Sequence, residues 1–235
     1  MEIGYAIFDI TLKFDQLALD YLRTNTRCQY LFLSSGAVYG TQFDAPATRE
    51  SAALVSINSL SSQEWYGAAK LHAECRHRAH AELNIFDIRV FNYFSRTQDI
   101  SARFLITDIL RAIRDKKVLK ISPNNVTRDF LHPSDFYKLV LTLLATPAIN
   151  TSVDCYSRAP IDKDTLLKAM RVKFDLDYEI TDVSGLNATG SKAYYYSLNT
   201  RAADYGYQPG LTSLAGILIE AEAILSQGSL RAGGG

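Results

Sequence analysis

The 235-residue chain has little of what marks a specialised class of protein. It has three cysteines, Cys28, Cys75 and Cys155. They are odd in number and far apart, with no CxxC and no Cys/His pair, which argues against a disulfide framework and a zinc site. Buried or half-buried free thiols in a reducing compartment are expected. Neither sign of charge is in excess: 25 basic residues face 25 acidic ones. No basic stripe is visible, so nucleic acid is not an expected partner. No apolar run is long enough to span a bilayer, and no membrane partner is expected. The N-terminus lacks the basic and apolar regions of a secretory signal, so a cytoplasmic location is expected. Nothing suggests a metal.

What is present suits a globular core. Apolar residues make up 47% and charged residues 21%, so the chain needs no metal or disulfide staple. Ile7, Ile10, Phe14, Leu17 and Tyr21 recur at spacings of three and four, which predicts a helix over about 7–22, closed near Asn25. Residues 30–33 form a short apolar run expected to be a strand buried on both faces. A polar loop follows over 41–64. The pattern then predicts a helix over about 66–83, a strand at 85–91 and a helix at about 103–115. Short strands follow at 118–121 and 127–131. A helix opens at His132-Pro133-Ser134-Asp135, with Pro133 in its first turn. A strand at 153–156 and helices at 166–174 and 213–225 complete the pattern. This alternation predicts an α/β fold with a parallel sheet.

Tyr66 and Lys70 stand at i and i+4 on a predicted helix, so they share one face about 6 Å apart along the axis. A free phenol has a pKa of about 10, too high for a base at neutral pH. A nearby ammonium favours the phenolate, which makes the two a sensible proton-transfer pair; two exposed helix residues at a chance Tyr-x-x-x-Lys spacing are the alternative. Ser35 lies just past the strand at 30–33, where open α/β sheets place their ligands, and Gly36 permits close backbone approach. Ser35 could donate to a substrate oxygen while Tyr66 takes or gives a proton; a serine that only caps or turns the chain is the alternative, and it is the preferred reading of Ser34. His72, His77 and His80 are spaced as if partly exposed, with no ligand set around them.

Five segments resemble one family in order and spacing. Ser34-Ser35-Gly36-Ala37-Val38-Tyr39-Gly40 is similar to the Ser-Ser-x-x-Val-Tyr-Gly segment of extended short-chain dehydrogenases/reductases, the NAD-dependent epimerase/dehydratase family. Tyr66-Gly67-Ala68-Ala69-Lys70 with Glu74 resembles its Tyr-x-x-x-Lys helix. Arg89-Val90-Phe91-Asn92 resembles its Arg-x-Phe-Asn strand end. Arg128-Asp129-Phe130-Leu131-His132 with Asp135 resembles its Arg-Asp-Phe-Ile-His-x-x-Asp block. Tyr205-Gly206-Tyr207-Gln208-Pro209 resembles its Leu-Gly-Trp-x-Pro.

The resemblance implies catalytic roles for Ser35, Tyr66 and Lys70, with Lys70 also gripping the nicotinamide ribose of NAD or NADP. It implies that the backbone near Phe91 lines the nicotinamide. Asn92 and Arg128 would meet the diphosphate of a nucleotide-sugar substrate, since a guanidinium fork suits that anion. A strand-end turn role for Asn92 and an ion pair for Arg128 are the alternatives. An epimerase or reductase is implied. A 4,6-dehydratase is disfavoured, because Ser35-Gly36-Ala37 stands where that subgroup has Thr-Asp-Glu.

The family's glycine-rich loop, which offers backbone amides to a pyrophosphate, has no match among the 13 glycines. The resemblance places the first helix on the family's fourth. The expectation is therefore an incomplete Rossmann-type sheet without its first strands. It would occupy 1–100 as a partial dinucleotide-binding domain. Residues 101–228 would be a mixed C-terminal part holding a smaller α/β substrate subdomain, and 229–235 a disordered tail. On this view the strand at 30–33 becomes an apolar sheet edge that invites association. Dinucleotide binding by such a chain would be impaired, so a truncated, non-catalytic remnant or interaction protein is the competing function. A homodimer through the first helix and the Tyr66 helix is also implied, although the apolar face of the first helix could equally be ordinary core.

Overall fold

The computed structural model describes residues 4–181 and 192–232, with side chains described through residue 226. The elements run in the order α1 (Ala6–Thr24), β1 (Tyr30–Ser35), α2 (Trp65–Ala79), β2 (Ile85–Val90), β3 (Asn92–Tyr93), α3 (Leu105–Asp115), β4 (Leu119–Ile121) and β5 (Thr127–Arg128). They continue with β6 (Phe130–Leu131), α4 (Pro133–Leu144), β7 (Asn150–Asp154), β8 (Ile161–Asp162), α5 (Lys163–Phe174), β9 (Tyr178–Ile180), β10 (Tyr194–Tyr195) and α6 (Ser213–Ala232). The fold is α/β with parallel pairing, as the alternation of patterns predicts.

The main sheet has the order β1-β2-β7, and both pairings are parallel. Successive side chains of a strand point to opposite faces, and β2 uses both. Ile85 packs toward Leu19 and Leu22 of α1, and Asp87 and Arg89 reach α2 on that same side. Phe86 and Ile88 pack on the other side with Leu139 and Leu143 of α4 and Val153 of β7. A separate core joins α3, α5 and α6 around Ile109, Leu110, Leu166, Met170 and Ile217. Small sheets β10-β5-β8, β3-β6 and β4-β9 lie outside the main sheet.

Local chemistry sets the helix ends. Asn25 closes α1 by donating from Nδ2 to the Tyr21 carbonyl at 2.9 Å. Pro133 sits in the first turn of α4, and the His132 ring accepts from the Ser134 amide. Asp162 caps α5 by accepting from the Thr165 amide at 2.9 Å.

Three expectations need correction. Strand β1 runs on to Ser35 and is not buried on both faces: Leu33 is 52% exposed, because β1 pairs with β2 alone. Helix α2 stops at Ala79, and Leu83 turns back into the core through its amide bond to the His80 carbonyl. Strand β7 spans Asn150–Asp154 and not 153–156; its polar first half, Asn150-Thr151-Ser152, hides it from an apolar pattern. The apolar face of α1, left open between core and partner surface, points away from the core, with Phe14 at 70% and Leu17 at 67% exposed, while Asp15, Leu19 and Leu22 are buried.

Among the described residues, no helix is long and apolar enough to cross a membrane. Helix α6 is described through Ala232, and 233–235 lie outside the described residues. Of the thiols, Cys155 is buried, Cys28 half-buried and Cys75 exposed, so the expectation of burial fails at Cys75.

Candidate active site

The chain turns sharply where β1 ends. Ser35 stays extended and caps a short 3-10 turn, Gly36–Tyr39, its Oγ accepting from the Ala37 amide at 3.2 Å. That leaves the hydroxyl hydrogen to point elsewhere. Its near neighbour is Tyr195 Oη of β10 at 3.5 Å. Ser34 does not cap the turn; its hydroxyl donates to Glu74 Oε1 at 2.6 Å and ties β1 to α2.

Helix α2 approaches this turn closely at Gly67. A Cβ there would sit 2.5 Å from the Ala37 carbonyl oxygen. The close approach carries Tyr66 to the end of β1. Tyr66 is 45% exposed, and burial of its inner part pushes its phenol above the usual value while the Ser35 hydroxyl pulls it down. One turn on, Lys70 Nζ donates to the Leu33 carbonyl at 2.8 Å and lies 5.8 Å from the Tyr66 ring centre. Burial lowers the Lys70 pKa, and the charge of Asp15 opposes that. The structure brings Ser35, Tyr66 and Lys70 to the end of β1, where the Tyr66 phenol is raised and not lowered. The ammonium is engaged with a backbone carbonyl, and burial of the phenol dominates.

Phe91 follows β2 and is buried among Tyr39, Phe43 and Tyr195. Its ring lies directly over Gly36, where any side chain would collide with it. Asn92 donates from Nδ2 to the Asp129 carbonyl at 3.2 Å and the Tyr195 carbonyl at 3.3 Å, stitching β3 to its neighbours. Arg128 is buried and donates to the carbonyls of Thr127 at 2.8 Å and Ala193 at 3.3 Å. Burial pulls its pKa down to about 10, against which the Tyr195 phenol acts. No carboxylate forms a salt bridge with it among the described residues, so the ion-pair alternative does not hold there.

Two residues of this region escape a reading of the sequence. Tyr195 is buried, and its phenol is pushed up to about 12 by burial. Lys192 lays its ammonium 4.4 Å from the Tyr195 ring centre and 5.2 Å from that of Phe43. Burial, then the charge of Arg128, pull the Lys192 pKa down to about 8. The Arg128 guanidinium sits 6.0 Å from the same Tyr195 ring. Two cations thus flank one aromatic ring whose hydroxyl faces Ser35. The only sequence signal is Lys192 just before Tyr194-Tyr195-Tyr196, and nothing local says what those rings touch. A cleft beside Lys192, walled by Val38, Gly40, Leu54, Leu60 and Ala68, opens behind the first turn of α2; Ser35, Tyr66 and Lys70 lie outside its walls.

Behind the turn, buried charges are fully engaged. Arg89 forks onto Glu74 with bonds of 2.5 to 3.1 Å and donates to the Tyr39 hydroxyl at 2.7 Å. Tyr39 and Ser197 both donate to Asp154, at 3.0 and 2.6 Å.

An open parallel α/β sheet with serine, tyrosine and lysine gathered at a strand's carboxyl end is the arrangement of a short-chain dehydrogenase-like protein. The chain belongs to the NAD dependent epimerase/dehydratase family, whose model matches residues 1–155. No curated protein matches it. Among solved structures, it is similar to UDP-glucuronic acid 4-epimerase from Bacillus cereus, in complex with UDP-glucuronic acid and NAD, at 16% identity and a TM-score of 0.68. That match covers 85% of this chain and 62% of the other. UDP-N-acetylglucosamine 4-epimerase from Methanobrevibacter ruminantium M1 matches at 18% identity and TM-score 0.73, covering 93% and 68%. dTDP-glucose 4,6-dehydratase from Bacillus anthracis str. Ames, in complex with NAD, matches at 16% and 0.70, covering 92% and 67%. The chain therefore spans 62% of the length of the Bacillus cereus epimerase.

Tyr66 and Lys70 set a phenol and an ammonium one helical turn apart, donors that suit the hydroxyls of a ribose once Lys70 leaves the Leu33 carbonyl. Among the described residues there is no glycine-rich turn for the pyrophosphate.

Proposed function

We propose that this chain carries the catalytic and substrate-side residues of an NAD- or NADP-dependent enzyme that acts on a nucleotide sugar, as an epimerase or reductase. The bound dinucleotide would supply and accept hydride. Tyr66 would exchange a proton with the reacting sugar hydroxyl, and Ser35 would donate a hydrogen bond to that oxygen. Lys70, on leaving the Leu33 carbonyl, would grip the ribose and favour the phenolate of Tyr66. Phe91 would hold the floor of the nicotinamide site through its packing on Gly36. Arg128 and Lys192 would receive the diphosphate, with Asn92 keeping the Tyr195 segment in place.

One observation carries the substrate class. Arg128 and Lys192 flank the Tyr195 ring, and the hydroxyl of that ring faces Ser35. Cations held partly out of water, with no acidic partner among the described residues, favour an anion. A diphosphate there leaves a sugar within reach of Ser35 and Tyr66. Calorimetric titration with UDP-glucose tests this. Binding should occur and weaken at least tenfold in Arg128→Ala. Equal binding by the variant, or none by the wild type, would sink the assignment.

A homodimer is proposed on the exposed stripe Ile10, Phe14, Leu17 and Tyr21 of α1. A stripe of that size on a helix otherwise docked by its opposite side suits a second apolar surface.

A further inference from the structure

His77 is fully buried between two carboxylates and takes no part in the site described above. Its Nε2 lies 2.6 Å from Asp15 Oδ1 of α1, and its Nδ1 lies 2.6 Å from Asp87 Oδ1 of β2. This corrects the sequence expectation of a partly exposed histidine. We propose that Asp15, His77 and Asp87 form a proton-dependent clasp, an imidazolium between two carboxylates, that holds α1 against α2 and the sheet.

Valence fixes the charge. A neutral imidazole has one N–H and one lone pair, and an ionised carboxylate only accepts. Two carboxylates at hydrogen-bond distance therefore require either a doubly protonated ring or a protonated acid. The second oxygen of each acid already meets an arginine: Asp15 meets Arg76 at 2.5 Å, and Asp87 meets Arg78. Those pairings favour ionised acids, so the extra proton belongs to His77.

Other groups around the ring are consistent with this. From β1, the rings of Tyr30 and Phe32 stand edge-on to it at 5.6 and 5.0 Å. Burial, then the charges of Asp15 and Asp87, push the Tyr30 phenol up. From β7, Asn150 donates to the His77 carbonyl at 2.9 Å, and from α1, Gln16 accepts from Arg76. On α2 itself, Glu74 is taken by Arg89, and Lys70 feels the charge of Asp15. Burial pushes the His77 pKa down, but the bonds and charges of Asp15 and Asp87 outweigh it and lift it to about 9. A folded value raised above 6.5 gives stability that is whole below about 6.5 and is lost as pH rises through about 9.

The apolar anchors of α1, Leu19 and Leu22, lie toward its C-terminal end. The clasp holds its middle. Its release would loosen the first half of α1, uncover Tyr30 and Phe32, and remove Asp15 from Lys70. The clasp does not depend on the proposed activity.

The full chain, labelled with nitrogen-15, should be followed by long-range proton–nitrogen spectra from pH 6 to 10, with the His77 ring assigned through His77→Gln. Hydrogen exchange of α1, corrected for the intrinsic rate, should be read beside that of α4. Both ring nitrogens should carry protons at pH 7 and titrate within a unit of 9. Protection of α1 should fall at least tenfold across that range while α4 holds. If His77→Gln does not fold, Asp15→Asn gives the assignment by shifting the titration down. A midpoint near 6.5, a bare ring nitrogen at pH 7, unchanged α1 protection, or equal loss in α4 would overturn the clasp.

Discussion

Lys192 is a lysine whose charge is lost close to neutral pH. Its pKa is pulled to about 8 by burial and then by Arg128, so it loses its proton as pH rises through 8. If it helps to hold a diphosphate, UDP-glucose should bind about tenfold more weakly at pH 9 than at pH 7, since a group with that pKa is then mostly neutral. Lys192→Arg should flatten this dependence, because a guanidinium keeps its charge. Titrations of both proteins at the two pH values check it; parallel losses would remove Lys192 from the site. At this scale Ser35, Tyr66 and Lys70 were legible because their placement is local. A four-residue spacing fixes one helix face, and a strand end fixes Ser35. Tyr195 and Lys192 were not, since the Ser35–Tyr195 contact joins residues 160 apart in sequence. His77 was misread for the same reason: its partners Asp15 and Asp87 come from other elements.

Helix α2 owes its seat to a missing side chain. Replacing a helical glycine by alanine ordinarily gains about 1 kcal/mol. At Gly67 the new methyl would meet the Ala37 carbonyl oxygen at 2.5 Å, a backbone atom that cannot rotate away. Forcing such overlap costs about 1–3 kcal/mol, so the clash wins. Gly67→Ala should lower the midpoint of urea unfolding and displace Tyr66; a raised midpoint would show that α2 can shift freely. Long helices and the apolar strands β1 and β2 were readable from periodicity. Strand β7 was not, because its first three residues are polar, and the two-residue strands β3, β8 and β10 carry no pattern at all. The facing of α1 was also hidden: its stripe of large apolar residues is real, but the core takes the smaller set around Leu19 and Leu22.

Taken whole, the chain exposes that stripe at spacings of four, three and four, Ile10, Phe14, Leu17 and Tyr21. Sedimentation should show a dimer, and Phe14→Glu with Leu17→Glu should give a folded monomer, since paired charges cannot be buried in an apolar seam. A monomeric wild type would leave the stripe without this role. The parallel α/β architecture was legible in the alternation of patterns, and the family in five ordered segments.

The most direct test of the proposed site is titration of the chain, saturated with UDP-glucose, with NADH. The account predicts binding that Lys70→Ala abolishes, because the ammonium and the Tyr66 phenol form the end of the site that suits a nicotinamide ribose. No binding by the wild type, or equal binding by Lys70→Ala, would contradict it.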